Sequence, residues 1–233
     1  MTQINTYSGK KKLLSIYATG IAAMLGIAYF SAPYSILRVG CDAGTGLIEC
    51  LQQEPKLLFL LFMMPAFLTL IAMFTLLISV KNPEKDAISS NMPKIIKMHI
   101  FMTIFFVIGS LLMFAVSYLP KEVVRENVDL FKSGWFAFTA LLLLYTANIT
   151  GKMNKSLFSG WPTPWNQKSE LAWEKSQRFV GFTLSIISII GMFVAFIWVD
   201  LFMYYIIGGI ILSYTGCAVV SYYVYKSETN QNS

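Results

Sequence analysis

The chain is short of the residues that most site chemistry needs. It carries one histidine, His99, and three cysteines in 233 residues. A bis-histidine haem requires two histidines, and a zinc protease built on H-E-x-x-H requires two plus a glutamate, so both are excluded. A phosphate-cradling loop is missing too. The only glycine-dense run, Gly40 to Gly46, has no lysine to reach a phosphate. No nucleophile–base pair or metal-ligating cluster stands out, so the chain reads as a non-enzyme with no cofactor. Charge is also scarce: 13% of residues are Asp, Glu, Lys or Arg, where soluble domains carry roughly 25%. A soluble protein needs a charged exterior. The net charge of +6 does not point to direct nucleic-acid binding, because the basic residues sit in short stretches beside apolar runs.

What the chain does have is apolar length. Hydrophobic residues make up 56% of it, and the mean hydropathy is +0.60. A bilayer core takes about 20 helical residues to cross, and six stretches approach or reach that: 13–30, 57–80, 99–119, 133–150, 179–199 and 201–225. None has Lys, Arg, Asp or Glu in its interior. The expected fold is all-α: a polytopic membrane helix bundle of six transmembrane helices forming one integral membrane domain. The last two runs are divided only by Asp200, which requires a tight reversal. Lys10, Lys11 and Lys12 before the first run resemble a signal peptide, but Ser31-Ala32-Pro33 is a poor cleavage site and the run is long, so a retained helix is expected. Pro65 is expected to bend the second helix.

Orientation follows from the basic residues. With both termini in the cytoplasm, 13 of the 18 Lys and Arg lie inside and five outside (Arg38, Lys56, Lys121, Arg125 and Lys132), as the positive-inside tendency requires. The tryptophans fall near helix ends, where amphipathic rings favour the headgroup zone. His99 reads as a polar residue at the cytoplasmic edge of the third helix. Cys41 and Cys50 share the first outer loop, where a disulfide could close a small ring, although spacing alone does not show that the thiols meet. Cys217 is most simply a small apolar residue in the sixth helix. The absence of intramembrane charge disfavours a proton-coupled transporter, leaving a small uncoupled carrier or channel as an alternative class.

One cytoplasmic segment, 151–178, is distinctive. Pro162 and Pro164 hold the backbone around Thr163 extended or turned. Ser169 is placed to cap a short helix with Glu170 in its first turn. That helix would carry Leu171, Trp173 and Phe179 beside Glu174, Lys175 and Arg178, a mixture suited to a membrane surface. On the residues alone, an interfacial element that merely seats the fifth helix explains it better than a functional site does.

This segment resembles the signature of SdpI-type bacterial immunity proteins. The similar residues are Gly160, Thr163, Pro164 and Trp165, then Ser169, Trp173, Arg178 and Gly181, with Asn148, Gly151 and Lys152 upstream. Asn82-Pro83-Glu84-Lys85 is similar to the family's second cytoplasmic loop. Pro162 stands where the family usually has arginine, and Gln177 where it usually has histidine. The resemblance implies an integral protein of the bacterial cytoplasmic membrane that protects the producing cell from a secreted peptide or protein toxin. It also implies a signalling role in which a cytoplasmic repressor is held at the membrane. Membrane lipids would be the other partner. Arg178 and Lys175 would then meet anionic headgroups or an acidic partner, Pro164 would fix the loop, and Trp165 and Trp173 would set its depth.

Overall fold

The computed structural model describes residues 2–39, 55–81, 85–157 and 160–231. Cys41, Cys50 and the glycines between them lie outside the described residues, as do Asn82, Pro83 and Glu84. Every regular element among the described residues is helical. The order is α1 (Thr2–Val39), α2 (Pro55–Lys81), α3 (Lys85–Tyr118), the short α4 (Lys121–Glu126), α5 (Val128–Thr150), α6 (Glu170–Ile197), a 3-10 turn (Val199–Leu201) and α7 (Phe202–Gln231). Five segments are long and apolar enough to cross a membrane: Gly9–Phe30, Ser90–Val116, Val128–Thr150, Glu170–Ile197 and Val199–Gln231. The remaining expected crossing falls in α2, a helix of 27 residues whose described apolar stretch is Met63–Thr75. This is an all-α, multi-pass membrane protein.

The helices run past the apolar cores expected from sequence. α1 begins at Thr2 instead of position 13, α3 at Lys85 instead of 99, α5 at Val128 instead of 133, and α7 continues to Gln231. Hydrophobicity marks only the part of a helix that meets lipid, whereas backbone hydrogen bonding continues into the polar ends. The segment expected as a loop through position 178 is correspondingly shorter. α6 starts at Glu170, so no separate surface helix precedes the fifth membrane helix.

The chain divides into two compact units. One consists of Lys10–Val80 and His99–Val128. In it Leu13, Tyr17 and Met24 of α1, Leu68 of α2 and Phe105 of α3 are buried. The Tyr17 hydroxyl lies 2.6 Å from His99 Nδ1 and 3.4 Å from Thr75 Oγ1, so one phenol joins three helices by polar contacts. His99 is 4% exposed, so it is packed between the helices. Burying an imidazole is costly unless it is bonded, and Tyr17 supplies that bond.

The other unit comprises Met1–Gly9, Lys81–Met98 and Asp129–Ser233. Its core is formed by Ala140 and Ala147 of α5, Val180, Leu184, Ile187 and Val194 of α6, and Phe202, Ile206 and Cys217 of α7. Phe136 stacks on Phe202 with ring centroids 4.6 Å apart. α6 ends when Trp198 leaves helical geometry, and the 3-10 turn containing Asp200 reverses the chain into α7, as the lone charge there led us to expect. The packing is antiparallel. Tyr205 Oη donates to the Ile187 carbonyl at 3.1 Å, Gly209 faces Ile187, and Gly216 faces Phe179. A Cβ on Gly209 or Gly216 would fall 2.6 Å or 2.4 Å from those side chains, so small residues let the two helices close, as is common between membrane helices.

Candidate functional site

The distinctive segment is a folded buckle that fastens α5, α6 and α7 together at one end of their unit. It begins where α5 runs out. Gly151 N donates to the Ala147 carbonyl at 3.2 Å, and α6 crosses close by at Gly181. A Cβ on Gly181 would sit 3.0 Å from the Ala147 oxygen and 3.1 Å from the Gly151 Cα. The two glycines therefore mark a close backbone-to-backbone approach, tight at Gly181 and with room for a methyl group at Gly151.

Three buried amides then organise the loop. A carboxamide presents a donor and an acceptor side by side, so it can pair with the N–H and C=O of one backbone residue. Asn91 of α3 does this to Asn154, accepting from its N–H at 2.9 Å and donating to its carbonyl at 2.9 Å. Gln177 of α6 does the same to Trp161, at 2.9 Å and 2.8 Å. Asn166, inside the loop, accepts from Thr163 N at 2.8 Å and donates to the Trp161 carbonyl and to Ser176 Oγ, each at 3.0 Å. All three amides are essentially inaccessible, and buried polar groups persist only when bonded in this way. Lys94 adds a bond from its ammonium to the Lys152 carbonyl.

Aromatic and hydroxyl groups complete the unit. Trp173 donates its indole N–H to the Met153 carbonyl at 2.8 Å. Gly160 has φ +82°, a left-handed conformation that suits glycine, and lies against Gln177 and the Trp173 ring. Thr163 Oγ1 meets Ser221 Oγ of α7 at 2.8 Å. The Trp165 ring packs edge-on against Tyr222 of α7, with centroids 5.4 Å apart. Ser169 caps α6 as expected, accepting from Ala172 N at 2.9 Å, and its hydroxyl also donates to the Glu228 carboxylate of α7. Ser169→Ala should therefore cost about 1 kcal/mol, read as a lower unfolding midpoint in mixed micelles with the membrane segments otherwise unchanged.

The residues singled out from sequence fall into two groups. Asn148, Gly151, Trp173, Arg178 and Gly181 line one open cleft of about 790 Å³ where α5 meets α6. Gly160, Thr163, Trp165 and Ser169 belong to the loop, three of them turned toward α7, and Pro164 is exposed. Trp173 is 3% exposed, so it is a core residue and not a headgroup anchor. Arg178 is at the surface, 2.5 Å from Glu174. Sequence reasoning missed Asn91 and Asn166, since an amide carries no pattern that names a distant backbone partner. It treated Gln177 only as a departure from a family pattern. Among the described residues no group of three His, Cys, Asp or Glu side chains is placed to hold a metal ion.

The fold and this buckle define a multi-pass helical membrane protein with a structured inter-helix loop. No protein-family model, curated protein or solved structure matches the chain.

Proposed function

We propose that the protein is an immunity protein of the SdpI type, residing in a bacterial cytoplasmic membrane and protecting its cell from a secreted peptide or protein toxin. The distribution of Lys and Arg supports an orientation with both termini and the buckled loop in the cytoplasm. The observation that carries the reading is the one-piece construction of the segment bearing the family-like residues. Gly160, Thr163, Ser169, Trp173 and Gly181 all serve to hold it against α5, α6 and α7. A loop fastened to three membrane helices moves when they move, so toxin engaging the helices or outer loops would be reported on the cytoplasmic face. A repressor held there, or released, would turn that report into a signal.

The experiment is deletion of the gene followed by challenge with culture fluid from the producing strain and its relatives. The expected result is toxin sensitivity, reversed by the intact protein and not by a Trp165→Ala variant present in the membrane at the same level. Unchanged survival of the deletion strain across a broad panel would overturn the proposal. Solute uptake by proteoliposomes would then favour the carrier alternative.

A further inference from the structure

The cleft between the end of α5 and the start of α6 has a charged rim, and the composition of α6 changes at a definite depth along it. From Glu170 to Arg178 this helix carries two carboxylates, a lysine and an arginine, and from Phe179 to Ile197 it carries no charge. A bilayer core accommodates about 20 helical residues. Counted back from Ile197, that places Arg178 at the hydrocarbon boundary and Phe182 one turn inside it. The cleft spans that boundary, with Lys152, Lys155, Arg178, Glu170 and Glu174 on its rim and Phe182 and Ser185 deeper along its wall. Phe182 is 66% exposed.

Two of the rim cations, Lys152 and Arg178, are available to an anion. Lys152 Nζ donates to the neutral Asn148 Oδ1 at 2.8 Å, which leaves its charge uncompensated. Arg178 contacts Glu174 at 2.5 Å with both side chains more than half exposed, whereas Lys155, its side chain 29% exposed, holds Glu170 at 2.7 Å. An exposed pair such as Arg178–Glu174 is weak, and an arginine exchanges such a partner readily for a phosphate that it can grip with two N–H groups.

We propose that this cleft is a binding site for one anionic phospholipid. Lys152 and Arg178 hold the phosphate at headgroup depth, and an acyl chain lies along Phe182. A soluble phosphate would use the rim and leave Phe182 uncovered, and an acidic peptide would gain nothing from an exposed ring at hydrocarbon depth. Site and lipid stand independently of the immunity reading.

The test is native mass spectrometry of the intact protein released from micelles containing equal amounts of phosphatidylglycerol and phosphatidylcholine. One phosphatidylglycerol should be retained in preference to phosphatidylcholine. Arg178→Gln and Lys152→Gln should each reduce that retention about fivefold. Arg178→Lys should restore part of it, and Phe182→Ala should weaken binding of the same lipid without changing headgroup preference. Lys132→Gln, which removes a cation outside the cleft, should leave retention unchanged and controls for net charge. Equal retention of both lipids, or retention unaltered in the Lys152→Gln/Arg178→Gln double variant, would overturn the site. Competition by glycerol phosphate at matching concentration would reassign it to a free anion, and displacement by an acidic peptide would reassign it to a protein partner. Either result ends the lipid proposal.

Discussion

Trp173→Ala should destabilise the unit containing α5, α6 and α7 by about 3–5 kcal/mol, the range for emptying a buried tryptophan site. The indole is 3% exposed and does two jobs. Its N–H satisfies the Met153 carbonyl, and its ring forms the surface on which Gly160 rests. Truncation removes the ring and orphans the carbonyl together. Trp173→Phe separates the two effects, because it keeps most of the volume and loses only the bond, for about 1–3 kcal/mol. Chemical unfolding in mixed micelles measures both, and limited proteolysis between positions 152 and 169 should accelerate in the alanine variant. A loss below about 0.5 kcal/mol for Trp173→Ala, the level typical of unimportant surface positions, would mean that the ring is not part of the core.

Gly160→Ala should be nearly as damaging, at about 2–5 kcal/mol. An L-residue in the left-handed region costs about 1–2 kcal/mol, and overpacking adds about 1–3 kcal/mol. The new Cβ would lie 2.6 Å from Gln177 Oε1 and 3.1 Å from Trp173 Cζ2. A surface glutamine could swing aside, but Gln177 is held at both ends of its amide by Trp161, so the clash must break that pairing or move the loop. Gly134→Ala in α5 is the control. Nothing lies within 4 Å of a Cβ there, and the exchange should be neutral or stabilising by up to about 1 kcal/mol. Equal unfolding midpoints for the two variants would contradict the buckle as described.

The membrane crossings were readable in the sequence because lipid imposes a simple rule: a run of apolar side chains without charge. The reversal at Asp200 was readable for the same reason, since one helix across it would be too long. Helix ends were less so. Pro93 lies inside α3, although proline removes a backbone donor and usually argues for a boundary. The preceding turn also holds Asn91, whose amide is committed to Asn154, so tertiary bonding keeps helix where propensity would end it. Tryptophan position misled in a similar way. Trp173 sits near a helix end and reads as an interfacial anchor, yet the loop folds over it and makes it core. His99 stands where the charge pattern changes, and Tyr17, 82 positions away in sequence, draws it between the helices.

The two departures from the family pattern can now be compared. Gln177 is 1% exposed and spends its whole amide on Trp161. Histidine presents its two nitrogens on different sides of a ring and cannot grip one residue's N–H and C=O in this manner. The side chain at position 177 is therefore an internal fastening of the loop and not a contact surface. Pro162 is partly exposed beside that fastening, and it restricts the backbone next to the clamped Trp161.

Hydrogen–deuterium exchange of the intact protein in nanodiscs tests the central claim most directly, because the amides of Asn154, Trp161, Thr163 and Asn166 have side-chain acceptors and none belongs to a helix ladder. The buckle predicts that these amides exchange as slowly as the adjoining turns of α5 and α6, and that Gln177→Ala releases Trp161 first. Exchange across 152–169 at the rate of an unstructured peptide, unchanged by Gln177→Ala, would contradict it.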